Sequence, residues 1–251
     1  MFNEEQEQAL DLRRSFGIDL YSPIEDMFDL LKKQNITIIK KKIETSQISG
    51  LCSKHKNGAE AILVNSTYSL GRQYFTLAHE LYHLKYDIDM NKYDTKKEKK
   101  ANSFASYFLA PKGALDKQLY HRGIEKKNEI KLEDILYLCD YFKMSYKAML
   151  VRLCYVEKLI DKNYFNDLLE VEIQSHLFKN GYSLALFNPT NEEFEVYSDY
   201  VELANKAFEN EKISSGKYEQ YLLEGGFEDI VFGNTAEGGA TYDGKIEDYI
   251  W

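Results

Sequence analysis

The 251-residue chain is predicted to fold in the α+β class, as a small antiparallel sheet packed on a helical core, with further helices and a C-terminal α+β region. Three observations carry this expectation. Short strand-like runs cluster at residues 36–40, 49–53 and 61–65. Two segments of helical period, 70–87 and 98–111, follow them directly. Strands grouped ahead of helices, without βαβ alternation, imply separate sheet and helix layers. An apolar content of 44% is ordinary for a globular protein that can fill such a core.

The elements can be justified in order. Residues 3–15 read as a helix, with Leu10, Leu12 and Phe16 apolar. Ser22-Pro23-Ile24-Glu25 predicts a helix start, with a serine cap, a proline in the first turn and a glutamate three residues after the cap; that helix is expected to run to Lys33. Residues 36–40 begin with four β-branched side chains, Ile36 to Ile39, and 61–65 form a third strand just before the next helix. This third strand is either a sheet edge, to which an extended peptide could add, or a buried central strand. Along 70–87, Phe75, Ala78, Leu81 and Tyr82 recur at helical spacing; Gly71 suits the helix start and no proline interrupts it.

Within that helix stands His79-Glu80-Leu81-Tyr82-His83. Positions four apart share a helix face, so both imidazoles can reach one metal ion, and Glu80 beside them can take a proton from an attacking water. A metal site with an open position needs a third protein ligand. Glu98 is the candidate, because Glu98, Ala101 and Ala105 share one face of the next helix and the small residues allow close approach. Phe104, Phe108 and Leu109 extend a buried stripe until Pro111 ends the helix. Mixed nitrogen and oxygen ligands suit zinc, with manganese the alternative.

The run Arg72 to His83, followed by Glu98-x-x-Ala101-Asn102-x-Phe104-Ala105 and Leu109-Ala110-Pro111, resembles the ImmA/IrrE family of HExxH metallo-endopeptidases. The resemblance covers roughly residues 20–155 and implies a zincin-like metallopeptidase domain over residues 1–156. By position it makes His79, His83 and Glu98 the metal ligands and Glu80 the catalytic base. Tyr82 and Ala110 stand where the family often has glycine and methionine; neither is a ligand position, and Tyr82 is expected to narrow the cleft. The resemblance further implies a cytosolic protein cleaving a regulatory substrate, a DNA-binding helix-turn-helix repressor. The alternative is a metal-containing sensor or toxin–antitoxin component that acts by protein–protein binding alone. The intact Glu80 favours the enzyme, since a binder has no use for a base there. Candidate donors to a developing oxyanion are Tyr82, Tyr93, His121 and Arg72, and spacing selects none of them.

Residues 131–153 predict two helices, with Ser145 capping the second. This is also a helix-turn-helix outline, but Lys147 and Arg152 are too few for a phosphate footprint. Beyond 156 the pattern predicts a helix over 161–176, strands over 182–187 and 193–197, and a helix over 199–223 broken near Ser214-Ser215-Gly216. The glycine-rich residues 233–240 are expected to be mobile.

The net charge of −9 is unevenly spread. From Lys158 onward there are 7 basic and 19 acidic residues, a balance of −12, against +3 for the first 157. Residues 157–251 therefore read as an acidic region that is either regulatory or partner-binding or else extra packing for the peptidase core, and its charge argues against a nucleic-acid surface there. Lys96, Lys97, Lys99 and Lys100 read as the solvated face of the Glu98 helix. Cys52, Cys139 and Cys154, odd in number and widely spaced, read as reduced thiols of a cytoplasmic protein. The acidic, polar first residues do not resemble a signal peptide, and no apolar run approaches membrane-spanning length. His55 and His176 have no partner motif and read as surface or packing residues.

Overall fold

Strands β1 (Ile36–Lys41), β2 (Gly50–Lys54) and β3 (Glu60–Asn65) form where aliphatic and β-branched residues alternate in and out. A fourth strand, β4 (Phe194–Tyr197), completes the sheet in the order β2-β3-β1-β4. The computed structural model describes residues 4–44, 48–56, 58–87, 94–124, 129–182, 184–225, 227 and 231. The class is α+β as expected, but the sheet is mixed rather than antiparallel. β2 and β4 run antiparallel to their neighbours, whereas β1 and β3 are parallel, with Ile38 opposite Ile62. The reason is topological. The chain after β1 crosses to the outer edge to form β2, and the β2–β3 hairpin then lays β3 between the two. β3 is therefore central, and β2 is the edge strand.

The inward face of the sheet buries Ile36, Ile38, Ile62 and Val64 almost completely. Each such side chain contributes roughly 1.5–3 kcal/mol against its exposed state. Helices α1 (Glu4–Ser15) and α2 (Met27–Lys33) come from the first predicted helices, with one correction. α2 starts at Met27 rather than after Ser22, because Asp26 caps it, accepting from Phe28 N at 2.8 Å and Asp29 N at 3.1 Å. The Ser22 carbonyl is instead held by buried Arg13, whose guanidinium also reaches the carbonyls of Asp19 and Phe108, all at 2.6 Å.

Helix α3 (Leu70–Tyr86) lies against β2 and β3, and α4 (Thr95–Leu109) packs between α3 and α1. The α3–α4 seam is aromatic, with Phe104 stacked on Phe108 at 5.5 Å and Tyr86 tilted against Phe104 at 5.6 Å. Gly71 lets α3 approach a later turn closely, since a Cβ there would lie 2.8 Å from Ser145 N and 2.9 Å from Met144 C. Pro111 ends α4 but caps α5 (Lys112–His121), which sequence reading did not anticipate.

Helices α6 (Leu132–Phe142) and α7 (Tyr146–Val151) match the predicted pair, with Ser145 accepting from Ala148 N. They are core elements, with Ile135, Leu138, Phe142, Met149 and Leu150 fully buried. α7 widens at its end into a π-turn, Arg152–Val156.

The helix expected over 161–176 is two, α8 (Lys162–Leu169) and α9 (Gln174–Lys179). The strand expected over 182–187 is not formed. Leu184–Leu186 is a short 3-10 turn closed by Phe187 N and Asn188 N on the Leu184 carbonyl, both at 3.0 Å. Its alternation reflects Leu186 turning inward, not a sheet partner; β4 pairs with β1 instead. The division expected at residue 156 is thus crossed by β4, and by Phe165 and Leu168 of α8, which join the main core. Helices α10 (Tyr200–Glu209) and α11 (Ser215–Glu224) form with the predicted break, around a separate small cluster of Ala204, Tyr218 and Leu222. Residues 233–240 lie outside the described residues. Among the described residues no helix is long and apolar enough to cross a membrane.

Candidate metal centre

His79 and His83 project from consecutive turns of α3 toward the first turn of α4, where Glu98 stands. Their Nε2 atoms are 3.2 Å apart. Glu98 Oε2 is 3.2 Å from His79 Nε2, and its Oε1 is 3.6 Å from His83 Nε2. The far side of each ring is fixed. His79 Nδ1 lies 3.0 Å from Asn102 Oδ1, and His83 Nδ1 lies 3.2 Å from Asp87 Oδ2. Both partners offer an acceptor oxygen, an arrangement that suits a metal-binding tautomer with the proton on Nδ1 and the Nε2 lone pair turned inward. Two lone pairs and a carboxylate then converge with no donor among them. Such a set repels itself unless a cation sits between its members. The ligand atoms lie within 4.8 Å of one another, so the residues fit a divalent metal.

Sequence reading did not assign Asp87 or Asn102 these roles. Asp87 is the cap of α3, and its side chain is only 4% exposed. Lys97 neutralises it at 2.5 Å. The lysine run of α4 is therefore not simply a solvated face: Lys97 braces the carboxylate behind His83, and Lys100 pairs with Glu4.

Glu80 points to the other side, toward β2. Burial raises its carboxyl above the ordinary range, opposed by neighbouring His79 and by hydrogen bonds from the Cys52 thiol and backbone N–H. Cys52, read from sequence only as a reduced thiol, thus touches the candidate base; burial and the Glu80 charge hold its thiol well above the usual range. Cys139 and Cys154 are buried, and all three are free thiols. Gly50 is needed on β2 because a Cβ would overlap the Thr76 side chain and lie 2.9 Å from Leu63 O.

His79, Glu80 and Glu98 open on a cavity of ≈ 740 Å³ between the β2 edge, α3, α4 and α7.

Residues 31–154, just under half of the chain, match the sequence profile of the IrrE N-terminal-like domain, a peptidase family. This region belongs to the ImmA/IrrE family. No curated protein matches the chain. Among solved structures, a Mycobacterium tuberculosis transcriptional regulator is similar at a TM-score of 0.45 and 15% identity, covering 61% of this chain and 47% of that one. The chain thus spans about half the length of that structure.

The ImmA/IrrE motif residues His79, His83 and Glu98 are brought together, with Glu80 beside them. The candidate oxyanion donors separate. Arg72 lines the cavity, whereas Tyr82 is buried against the rings of His83, Tyr86 and Phe104 and does not narrow the cleft. The reason is that Tyr82 falls on the α4 side of α3. His121 ends α5, away from the cavity lining, and Tyr93 lies outside the described residues. Arg152 and Ser106 also line the cleft and were not singled out by sequence.

Proposed function

We propose that the chain is a cytoplasmic, zinc-dependent endopeptidase that cleaves a regulatory protein, a DNA-binding helix-turn-helix repressor. The observation that supports it best is the convergence of two imidazole Nε2 atoms and a carboxylate beside a cleft, with a half-buried glutamate on the adjoining wall. His79, His83 and Glu98 would hold the zinc, with manganese the alternative. When bound, the ion acts as a Lewis acid toward water and a carbonyl oxygen. Glu80 accepts a proton from the attacking water and returns it to the leaving nitrogen. Its partial burial suits this role, because desolvation raises the carboxyl above the ordinary range and so makes the carboxylate a better proton acceptor. Cys52 positions Glu80 from β2. The free edge of β2 borders the cleft, so an extended substrate can add there as a further strand.

We further propose that residues 157–251 form a regulatory or partner-binding region. Its excess of acidic residues would attract a basic DNA-binding protein, and that attraction should weaken as salt shortens the reach of exposed charges to about 8 Å at physiological ionic strength.

The test is incubation of the metal-loaded protein with a helix-turn-helix repressor encoded beside it, alongside the Glu80→Gln variant. Cleavage by the native protein alone is the expected result. Tight binding without cleavage by either would instead favour the sensor or toxin–antitoxin reading.

A further inference from the structure

We infer that the end of the cleft remote from His79 and His83 is a carboxylate-binding subsite built on Arg152. The inference rests on the reading of the cleft as a peptide site. Arg152 is 1% exposed, yet it forms part of the cleft wall. Its Nε donates to Glu157 Oε1 at 2.8 Å and its Nη1 to Ser106 Oγ at 3.0 Å. The Tyr107 ring covers the guanidinium at 4.1 Å. Among the described residues Nη2 has no hydrogen-bond partner. A buried, charged donor left unmatched is costly, and native proteins rarely keep one without a use.

The backbone is adapted to hold this group. At the π-turn, Glu157 N bonds to Arg152 O at 3.0 Å, five residues back, and this returns the Glu157 carboxylate beneath its partner. Lys112 shares Glu157 at 3.0 Å and also pairs with Asp116 at 2.9 Å, so Glu157 is fixed from two sides while Arg152 keeps a donor unused.

Charge along the cleft agrees. Arg72, Lys99, Lys147 and Arg152 line it, against the carboxylates Glu80 and Glu98 alone. Glu80, Glu98 and the adjoining Lys99 belong to the metal end, which leaves Arg72, Lys147 and Arg152 as the charged groups of the remaining lining. An anionic group fits there, and the planar guanidinium favours a carboxylate, which can accept two parallel hydrogen bonds. That carboxylate comes either from an aspartate or glutamate side chain near the scissile bond or from a free peptide C-terminus.

The experiment uses the zinc-loaded Glu80→Gln protein and a positional-scanning octapeptide library in free-acid and amidated pools, reading binding rather than cleavage. Enrichment of Asp and Glu over Asn and Gln by about tenfold at one position in both pools is the expected result for a side chain. Retention of the free-acid pool alone assigns the terminal carboxylate. Adding Arg152→Met together with Glu157→Gln, which removes both buried charges, should abolish the preference while neutral peptides still bind. Lys99→Met with Lys147→Met, both exposed, should leave it in place, and this arm decides if the Arg152 variant fails to fold. Loss of preference in the lysine variant, its survival without Arg152, or its absence in the starting protein overturns the subsite. Peptide binding without any acidic preference removes the subsite alone; absence of all peptide binding removes the peptide-cleft reading as well.

Discussion

The α3–α4 pair and the α10–α11 pair are both amphipathic helix pairs, but they are built for different ends. Between α3 and α4 an aromatic seam from Tyr82 to Phe108 supports a chain of polar contacts: Lys97 to Asp87, Asp87 to His83, His83 to His79, and His79 to Asn102. Between α10 and α11 the buried residues are Ala204, Tyr218 and Leu222, with Tyr218 donating to Asn205 at 2.5 Å. The first pair uses its apolar packing to hold ionisable groups in fixed positions. The second chiefly covers its own small cluster. Rigid polar geometry needs a large apolar support, because a side chain free to rotate cannot keep a ligand atom in place.

The comparison can be broken first at Glu80. Glu80→Gln should keep the fold and bound metal but lower peptide cleavage by about 10²–10⁴-fold, the range for loss of a general base. Steady-state kinetics with metal analysis checks this; unchanged turnover would end the protease reading. Next comes the support behind the ligands. Asp87→Ala and Asn102→Ala should each weaken metal affinity by about 10–100-fold, whereas His79→Ala and Glu98→Ala should leave the protein without stoichiometric metal. Competition with a chromophoric chelator measures both, and undiminished affinity in Asp87→Ala would mean the polar chain does not hold His83.

Backbone approach should matter less. Gly71→Ala pushes a methyl group into Met144 and Ser145 and should cost about 1–3 kcal/mol in denaturant unfolding. Glu157 gives a smaller effect with a defined pH signature. Burial alone would raise its carboxyl, but Arg152 and Lys112 outweigh that and leave it below the ordinary 4.5. A depressed folded-state pKa adds stability that is complete above the unfolded value and is lost as pH falls through the folded one. Glu157→Gln should therefore be less stable by about 1–1.5 kcal/mol at pH 7, with the gap closing as pH drops below 4.5. A gap independent of pH would mean that the charge contributes nothing.

The smallest effect is expected at the second pair. Removal of residues 199–251, which carry 12 acidic and 4 basic residues, should leave metal stoichiometry unchanged and cost less than about 1 kcal/mol, a shift of no more than about 2–4 °C in melting temperature. If that region recruits a basic partner, the same truncation should flatten the salt dependence of repressor binding. Removal from residue 157 onward should behave differently, because it strips β4 from β1 and takes Phe165 and Leu168 from the core. An equally stable 1–156 fragment would show that β4 is dispensable.

Much of the site could be read before the fold. The spacing of His79 and His83 sets two imidazoles on one helix face, and the recurrence of Glu98, Ala101 and Ala105 marks a helix that can approach closely. Those are local periodicities, fixed by helix geometry. The strands over 36–65, the break between α10 and α11, and the Ser145 cap were equally local. Two of the misreadings show different causes. Ser22-Pro23 offered a plausible cap, but Asp26 adjoined the residues that pack, and packing decided the start of α2. The alternation over 182–187 matched a strand, but no sheet edge was there to receive it.

The sequence by itself determined the α+β class, the helices that carry His79, His83, Glu80 and Glu98, and the chemistry those residue types can perform. Tertiary structure decided that β3 is central and β2 at an edge, that β4 joins β1 across the long intervening chain, that Asn102 stands behind His79, and that Arg152 meets Ser106 at the cleft. The physical reason is range. Helical and strand periods act over a few residues and are written in neighbouring side chains, whereas these pairings join positions whose proximity is created only when the whole core closes around them.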